Sequence, residues 1–225
     1  YFLLKAESKY DEEKLYARYK PDICSVFTYR ERMDKVPLRH KLYDTWLQMQ
    51  TFHLPNDLRN NKQIDQMLDR SRKGREYCIG RAQELRSLLN NATPTGDNWT
   101  RWQAHAEVTI AELLRFRFML GQYHEALRQE WTKHGKQVPP KKRYVIGKGK
   151  APSDFIGGAP AKAEFDMAAQ YIESLVARHK GTPWETMGKR LQKGLHPWKC
   201  NFTDVPKPGP PPDPNAPAPP PAIVP

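Results

Sequence analysis

Apolar residues recur along this chain at helical spacing, and proline repeatedly interrupts the pattern. Ser8 stands where a cap would precede Leu15, Tyr16 and Tyr19, and Pro21 stops that segment. Asp34 and Pro37 open a second helix, in which Leu38, Leu42, Trp46 and Met49 lie on one face until Pro55 ends it. Asn56 or Asp57 is placed to cap the next segment. Ile64, Leu68, Cys78, Ala82, Leu85 and Leu89 then form a stripe, weakened at Ser71 and Gly74, so a bend or break is expected near Gly74. The stretch 90–97, with Pro94 and Gly96, predicts a turn joining antiparallel neighbours.

The strongest pattern runs over 99–134, where Trp102, Ala106, Ile110, Leu113, Leu120, Leu127 and Trp131 follow one side. Such a helix is roughly 50 Å long and is the expected scaffold. Arg115 and Arg117 alternate with Phe116 and Phe118, which leaves its middle apolar nearly all round. From Gly135 to Pro160, prolines and glycines are dense enough to predict an irregular loop, and a loop of that length is usually functional. A further helix carries Phe165, Ala168, Ile172, Leu175 and His179 on one face, and Thr182-Pro183-Trp184-Glu185 reads as a capping box for a short basic helix ending at Gly194. From Val205 onward eleven of 21 residues are proline, which restricts the tail to extended polyproline or disorder.

The expectation is therefore an all-α fold without internal repeats. It has an irregular helical core over 1–134 with one long helix, a basic Gly/Pro-containing loop at 135–159, a second helical unit at 160–204 and an extended Pro-rich tail at 205–225. Composition agrees, because only 38% of residues are apolar while 28% are charged and 21 are proline, so core-forming material is concentrated in part of the chain. No stretch approaches the ~18 consecutive apolar residues of a transmembrane span. A chain that starts at Tyr1 leaves room for a targeting leader ahead of it. Cys24, Cys78 and Cys200 are odd in number and widely separated, which suits a reducing compartment. The three glycosylation sequons at Asn91, Asn98 and Asn201 are accordingly read as coincidence.

Charge changes the picture most. Lysine and arginine total 37 against 25 acids, a net +12, which points to a polyanionic partner. Nucleic acid is the first choice and an anionic membrane surface the second. Between Lys133 and Lys150 there are seven basic residues and no acid. Lys133, Lys136, Lys141, Lys142, Arg143, Lys148 and Lys150 are expected to lie along phosphates, with Tyr144 available to stack on a base. A solvated loop and a nuclear localisation signal are the other readings of these lysines. A second patch comprises Lys189, Arg190, Lys193, Trp198 and Lys199. Trp46, Trp102 and Trp131 are expected to be core or interface anchors, with Trp46, Trp131 and the prolines Pro210, Pro211, Pro212, Pro219 and Pro220 assigned to protein partners.

Catalytic signatures are missing. The cysteines are too scattered for a zinc site, and His105-Ala106-Glu107 matches half of a deaminase signature whose cysteine half is lacking. The Gly147-Lys148-Gly149-Lys150 segment lacks the upstream glycine and the following serine or threonine of a P-loop. No catalytic residue, metal, cofactor or small-molecule substrate is assigned, and the chain is expected not to be an enzyme.

Helical core, basic loop and proline tail together give a composition and layout that resembles lineage-specific proteins of organellar ribosomes, which combine a small fold with extensions over RNA and neighbouring proteins. That resemblance implies a structural, ribosomal-RNA-binding component of a mitochondrial ribosome in the matrix. The alternative is an accessory subunit of a mitochondrial inner-membrane complex, with an enzyme third.

Overall fold

A computed structural model describes residues 36–52, 54–91, 99–149 and 155–206. Its elements are α1 (Pro37–Gln50), β1 (Asp57–Leu58), α2 (Asn61–Asn91), α3 (Trp99–Lys133), β2 (Lys142–Lys148), α4 (Gly158–Arg178), α5 (Pro183–Gly194) and β3 (Trp198–Asp204). The chain is mostly helical, as its periodicity predicts, with a small sheet in addition. The cap read at Ser8, Cys24, the turn at Pro94, Lys150 and the tail prolines Pro210, Pro211, Pro212, Pro219 and Pro220 lie outside the described residues.

The frame is the pair α2 and α3. Their contacts run in opposite order, Ser71 against His124, Gly74 against Leu120, and Arg86 and Leu89 beside Trp99 and Gln103, so the two helices are antiparallel. The interruption expected at Gly74 does not occur, and α2 is continuous through it. A Cβ on Gly74 would stand 2.9 Å from Leu120 Cδ1. The missing side chain makes room for Leu120 at the helix crossing, and packing offsets the ~1 kcal/mol that glycine costs a helix.

Helix α3 is apolar around much of its circumference because it packs in three directions. Trp102, Ala106, Ile110, Leu113, Leu114 and Leu120 join Leu38 and Leu42 of α1 and Cys78, Ala82 and Leu85 of α2. Ala104, Val108 and Ala111 face Ile172 and Leu175 of α4 and Trp184 of α5. Tyr123, Ala126 and Leu127 pack on Ile64 and Met67 of α2 and on the inner face of the sheet. Each fully buried aliphatic side chain contributes about 1.5–3 kcal/mol, so a rod shared by three clusters couples them into one core.

Within 135–160, expected to be irregular throughout, residues 142–148 form the central strand of an antiparallel sheet in the order β1-β2-β3. The chain reaches it through left-handed residues, Gly135 (φ 68°), Lys136 (φ 57°) and Lys141 (φ 65°). The Lys136 N–H donates to Trp131 O at 2.9 Å and closes the end of α3. Along β2 the side chains alternate, with Tyr144 and Ile146 buried beneath and Arg143 and Val145 half-buried on the opposite face. Cations at the strand ends, together with Gly147, hide this period of two in the sequence.

The capping box read at Thr182 is also corrected. Thr182 Oγ1 donates to His179 O at 2.6 Å, and Glu185 Oε2 accepts from the Gly181 N–H at 2.6 Å. The glutamate thus reaches one residue further back than a capping box requires.

Candidate functional site

The sheet brings together parts of the two basic stretches that are some 50 residues apart in sequence. β2–β3 pairing sets Gly147 opposite Lys199 and Lys148 opposite Trp198, and the Gly149 N–H donates to Pro197 O at 2.9 Å. Lys148 and Lys199 therefore share one end of the sheet, while Arg190 and Lys193 occupy the last turns of α5, which feeds that end. All four are exposed, and none makes an ion pair among the described residues. Lys136 and Lys141 are likewise exposed at the opposite end of β2.

Other predicted RNA contacts are engaged within the protein. Arg143 Nη1 lies 2.6 Å from Asp57 Oδ2, which also holds Arg59 at 2.9 Å. The Arg59 hydrogen bond, assisted by Arg143, keeps the Asp57 carboxyl below its ordinary range. Lys142 pairs with Asp204 at 2.8 Å, Lys189 with Glu185 at 2.5 Å and Lys133 with Glu130 at 3.5 Å.

Tyr144 corrects an expectation outright. Its ring is fully buried, 4.8 Å from Phe202, so it is withdrawn from base stacking. Burial, with Cys200 and Glu130 nearby, pushes its phenol up to about 12. Trp198 packs on the same cluster with its ring edge-on to Tyr123 at 6.3 Å, and Trp131 joins it. Trp184 is buried, as is Trp102. Trp46, by contrast, is 54% exposed on α1 beside Tyr43 and Leu47. Arg115 forms an ion pair with Glu112 at 2.6 Å, and Arg117 pairs with Glu164 at 3.0 Å. Cys78 and Cys200 are free and buried, and burial raises both thiols to about 12. Neither is a poised nucleophile.

A second polar site, not anticipated from the sequence, lies where α3 meets α4. Glu107 is only 4% exposed. Its carboxylate accepts from His179 Nε2 at 2.8 Å, Arg178 Nη1 at 3.0 Å and Gln103 Nε2 at 3.3 Å. Burial pushes this carboxyl up, but the His179 hydrogen bond, the Arg178 and His179 charges and the Gln103 amide outweigh it, and the net shift is downward. The half-signature His105-Ala106-Glu107 is split by the helix. His105 lies between the rings of Trp102 and Trp184, at 5.8 and 5.7 Å, and burial lowers it to about 4. Glu107 shares the stripe of Ala104, Val108 and Ala111 facing α4, and an acid at that phase of an apolar helix is the sequence signal that marks it.

Above Glu107 a cleft of about 400 Å³ opens among Arg86, Leu89, Asn90, Trp99, Gln103, Tyr171 and Arg178. The Arg86 guanidinium lies over the Tyr171 ring at 5.0 Å. Burial raises the Tyr171 phenol. Among the described residues, no cluster of three His, Cys, Asp or Glu side chains converges as a metal site, and no helix is long and apolar enough to cross a membrane. No protein family, curated protein or solved structure matches the chain.

Proposed function

We propose that this chain is a structural RNA- and protein-binding component of a large ribonucleoprotein, with the mitochondrial ribosome as the assembly to test first. The observation that carries the reading is the β2–β3 register, which sets Lys148 and Lys199 at one sheet end next to the helix bearing Arg190 and Lys193. Those cations have no carboxylate partner among the described residues, and cations without internal partners are the ones able to release counterions from phosphate. A cation-bearing sheet end suits irregular RNA more than duplex DNA, which is usually met by a helix seated in the major groove. The exposed Tyr43, Trp46 and Leu47 of α1 support a protein contact on a separate element.

Two measurements test this reading. Binding to single-stranded RNA across a salt series is expected to lose about 0.7 in the slope of log K against log salt for each phosphate contact removed. The variant Lys148→Gln/Lys193→Gln/Lys199→Gln should flatten that slope, while Lys142→Gln/Arg143→Gln should change it little. Equal slopes for wild type and the first variant would remove the sheet end from the interface. Gradient sedimentation of cell lysate, with and without ribonuclease, should show the protein leaving a large particle only when RNA is digested. Retention on a membrane complex after digestion would favour the accessory-subunit alternative.

A further inference from the structure

We propose that the cleft between the C-terminal turns of α2, the N-terminal third of α3 and α4 binds a small organic anion, with an oxyanion head group held by Arg86 and Arg178 and a flat apolar body against Trp99 and Leu89.

Three features build the site. Arg86 has no hydrogen-bond acceptor among the described residues, yet its guanidinium carbon lies over the Tyr171 ring, 5.0 Å from the centroid. A guanidinium resting on an aromatic face is restrained before any ligand arrives, and its planar fork of N–H donors suits a bidentate oxyanion. Arg178 is positioned from the other side, with Nη1 on Glu107 at 3.0 Å and Nε on Ser174 O at 3.4 Å. Arg178 also hydrogen-bonds the Tyr171 side chain.

Glu107 by itself would repel an anion. Its charge is already answered by His179, Gln103 and Arg178, and it lies at the base of the cleft with 4% exposure. With Arg86 and Arg178 against this single carboxylate, the lining carries one net positive charge. A monoanion would cancel it. The walls are otherwise Leu89, Trp99 and Tyr171, with the amides of Asn90 and Gln103 at the rim. A volume of about 400 Å³ falls within the ~300–1,000 Å³ range of small-ligand clefts, which are mostly apolar with a few convergent polar groups. Carboxylate and phosphate heads share the required chemistry, and a flat body would lie along Trp99.

This site is distinct from the cations of the sheet. Arg86 and Trp99 lie at the end of the α2–α3 pair opposite the cluster that supports β2 and β3.

The test uses the full chain and four probes: benzoate, phenyl phosphate, inorganic phosphate and neutral benzamide. The Trp99 indole N–H resonance, assigned with Trp99→Phe, reports locally, and calorimetry gives the affinity. Benzoate or phenyl phosphate is expected to shift the Trp99 resonance saturably, with affinity at least tenfold above benzamide. The preferred member of the pair distinguishes a carboxylate from a phosphate ligand, and weak binding of inorganic phosphate shows that the apolar body contributes. Arg86→Gln should lower affinity at least tenfold. Arg86→Lys keeps the charge and should also bind more weakly, because it lacks the planar fork; it serves as the test if the glutamine variant fails to fold. The sheet variant Lys148→Gln/Lys193→Gln/Lys199→Gln should bind the probes as wild type does, so failure of RNA binding leaves this outcome readable. No Trp99 shift with any anion, equal affinity for benzamide, or unchanged affinity in folded Arg86 variants would overturn the proposal.

Discussion

The two ends of α3 handle charge in opposite ways. At its C-terminal end, beneath the sheet, cations predominate and the acids that answer them are near the surface, such as Asp57 with Arg59 and Arg143, and Asp204 with Lys142. At its N-terminal end one buried acid, Glu107, is served by Arg178, His179 and Gln103. Ion pairs at the surface contribute about 0–1 kcal/mol because water competes for both partners. Removing one partner of a buried pair costs about 3–5 kcal/mol, since the remaining group stays desolvated. The end richest in charge is therefore the one where charge matters least to stability, leaving it available for a partner.

The sharpest way to break this contrast is Glu107→Ala. It leaves His179 and Arg178 without their acceptor and should destabilise the fold by about 3 kcal/mol or more, read as a lower denaturation midpoint. The Glu107 carboxyl is lowered in the folded state, so its stabilisation is present above its ordinary value of 4.5 and is lost as pH falls through the lower folded value. Crowding the helix crossing tests the frame that connects the two ends. Gly74→Val should cost about 2 kcal/mol, because its side chain would meet Leu120 at the position where a Cβ already lies 2.9 Å away.

His105 sharpens the comparison through pH. Its folded value of about 4 is below the ordinary 6.5, so between these values the unfolded chain binds a proton that the folded chain does not. Stability should decline as pH falls from about 6.5 to 4, by on the order of 3 kcal/mol from this residue. Replacing it by His105→Phe should flatten that part of the stability profile measured by urea denaturation. The smallest effect is expected at the sheet. A double-mutant cycle on Lys142→Gln and Asp204→Asn should return a coupling of at most about 0.5 kcal/mol, and a value near that of the buried site would erase the distinction between the two ends.

Long helices are legible in this sequence because their apolar positions repeat over many turns. Leu38, Leu42, Ile110, Leu113, Ile172 and Leu175 all lie in the core as their spacing predicts. The strand β2 was illegible for a physical reason. Only Tyr144 and Ile146 of its seven residues are buried, and the cations and glycines around them read as a loop. Tyr144 shows the consequence, since an aromatic in a basic run looks like a stacking residue until pairing with Phe202 turns it inward. Gly74 shows the converse: propensity marks it as a weak point, and only the approach of Leu120 explains why the helix continues.

The sequence by itself determined the helical class, the long scaffold helix and the excess of positive charge, because these follow from local periodicity and from counting. The tertiary structure decided which cations have internal partners, that Lys148 and Lys199 come to the same sheet end, and that Glu107, Arg178 and His179 converge beneath a cleft with Arg86. Those relations join residues as far apart as Asp57 and Arg143, which are 86 positions apart. No local rule specifies them, because they depend on how three apolar faces of one helix are satisfied at once.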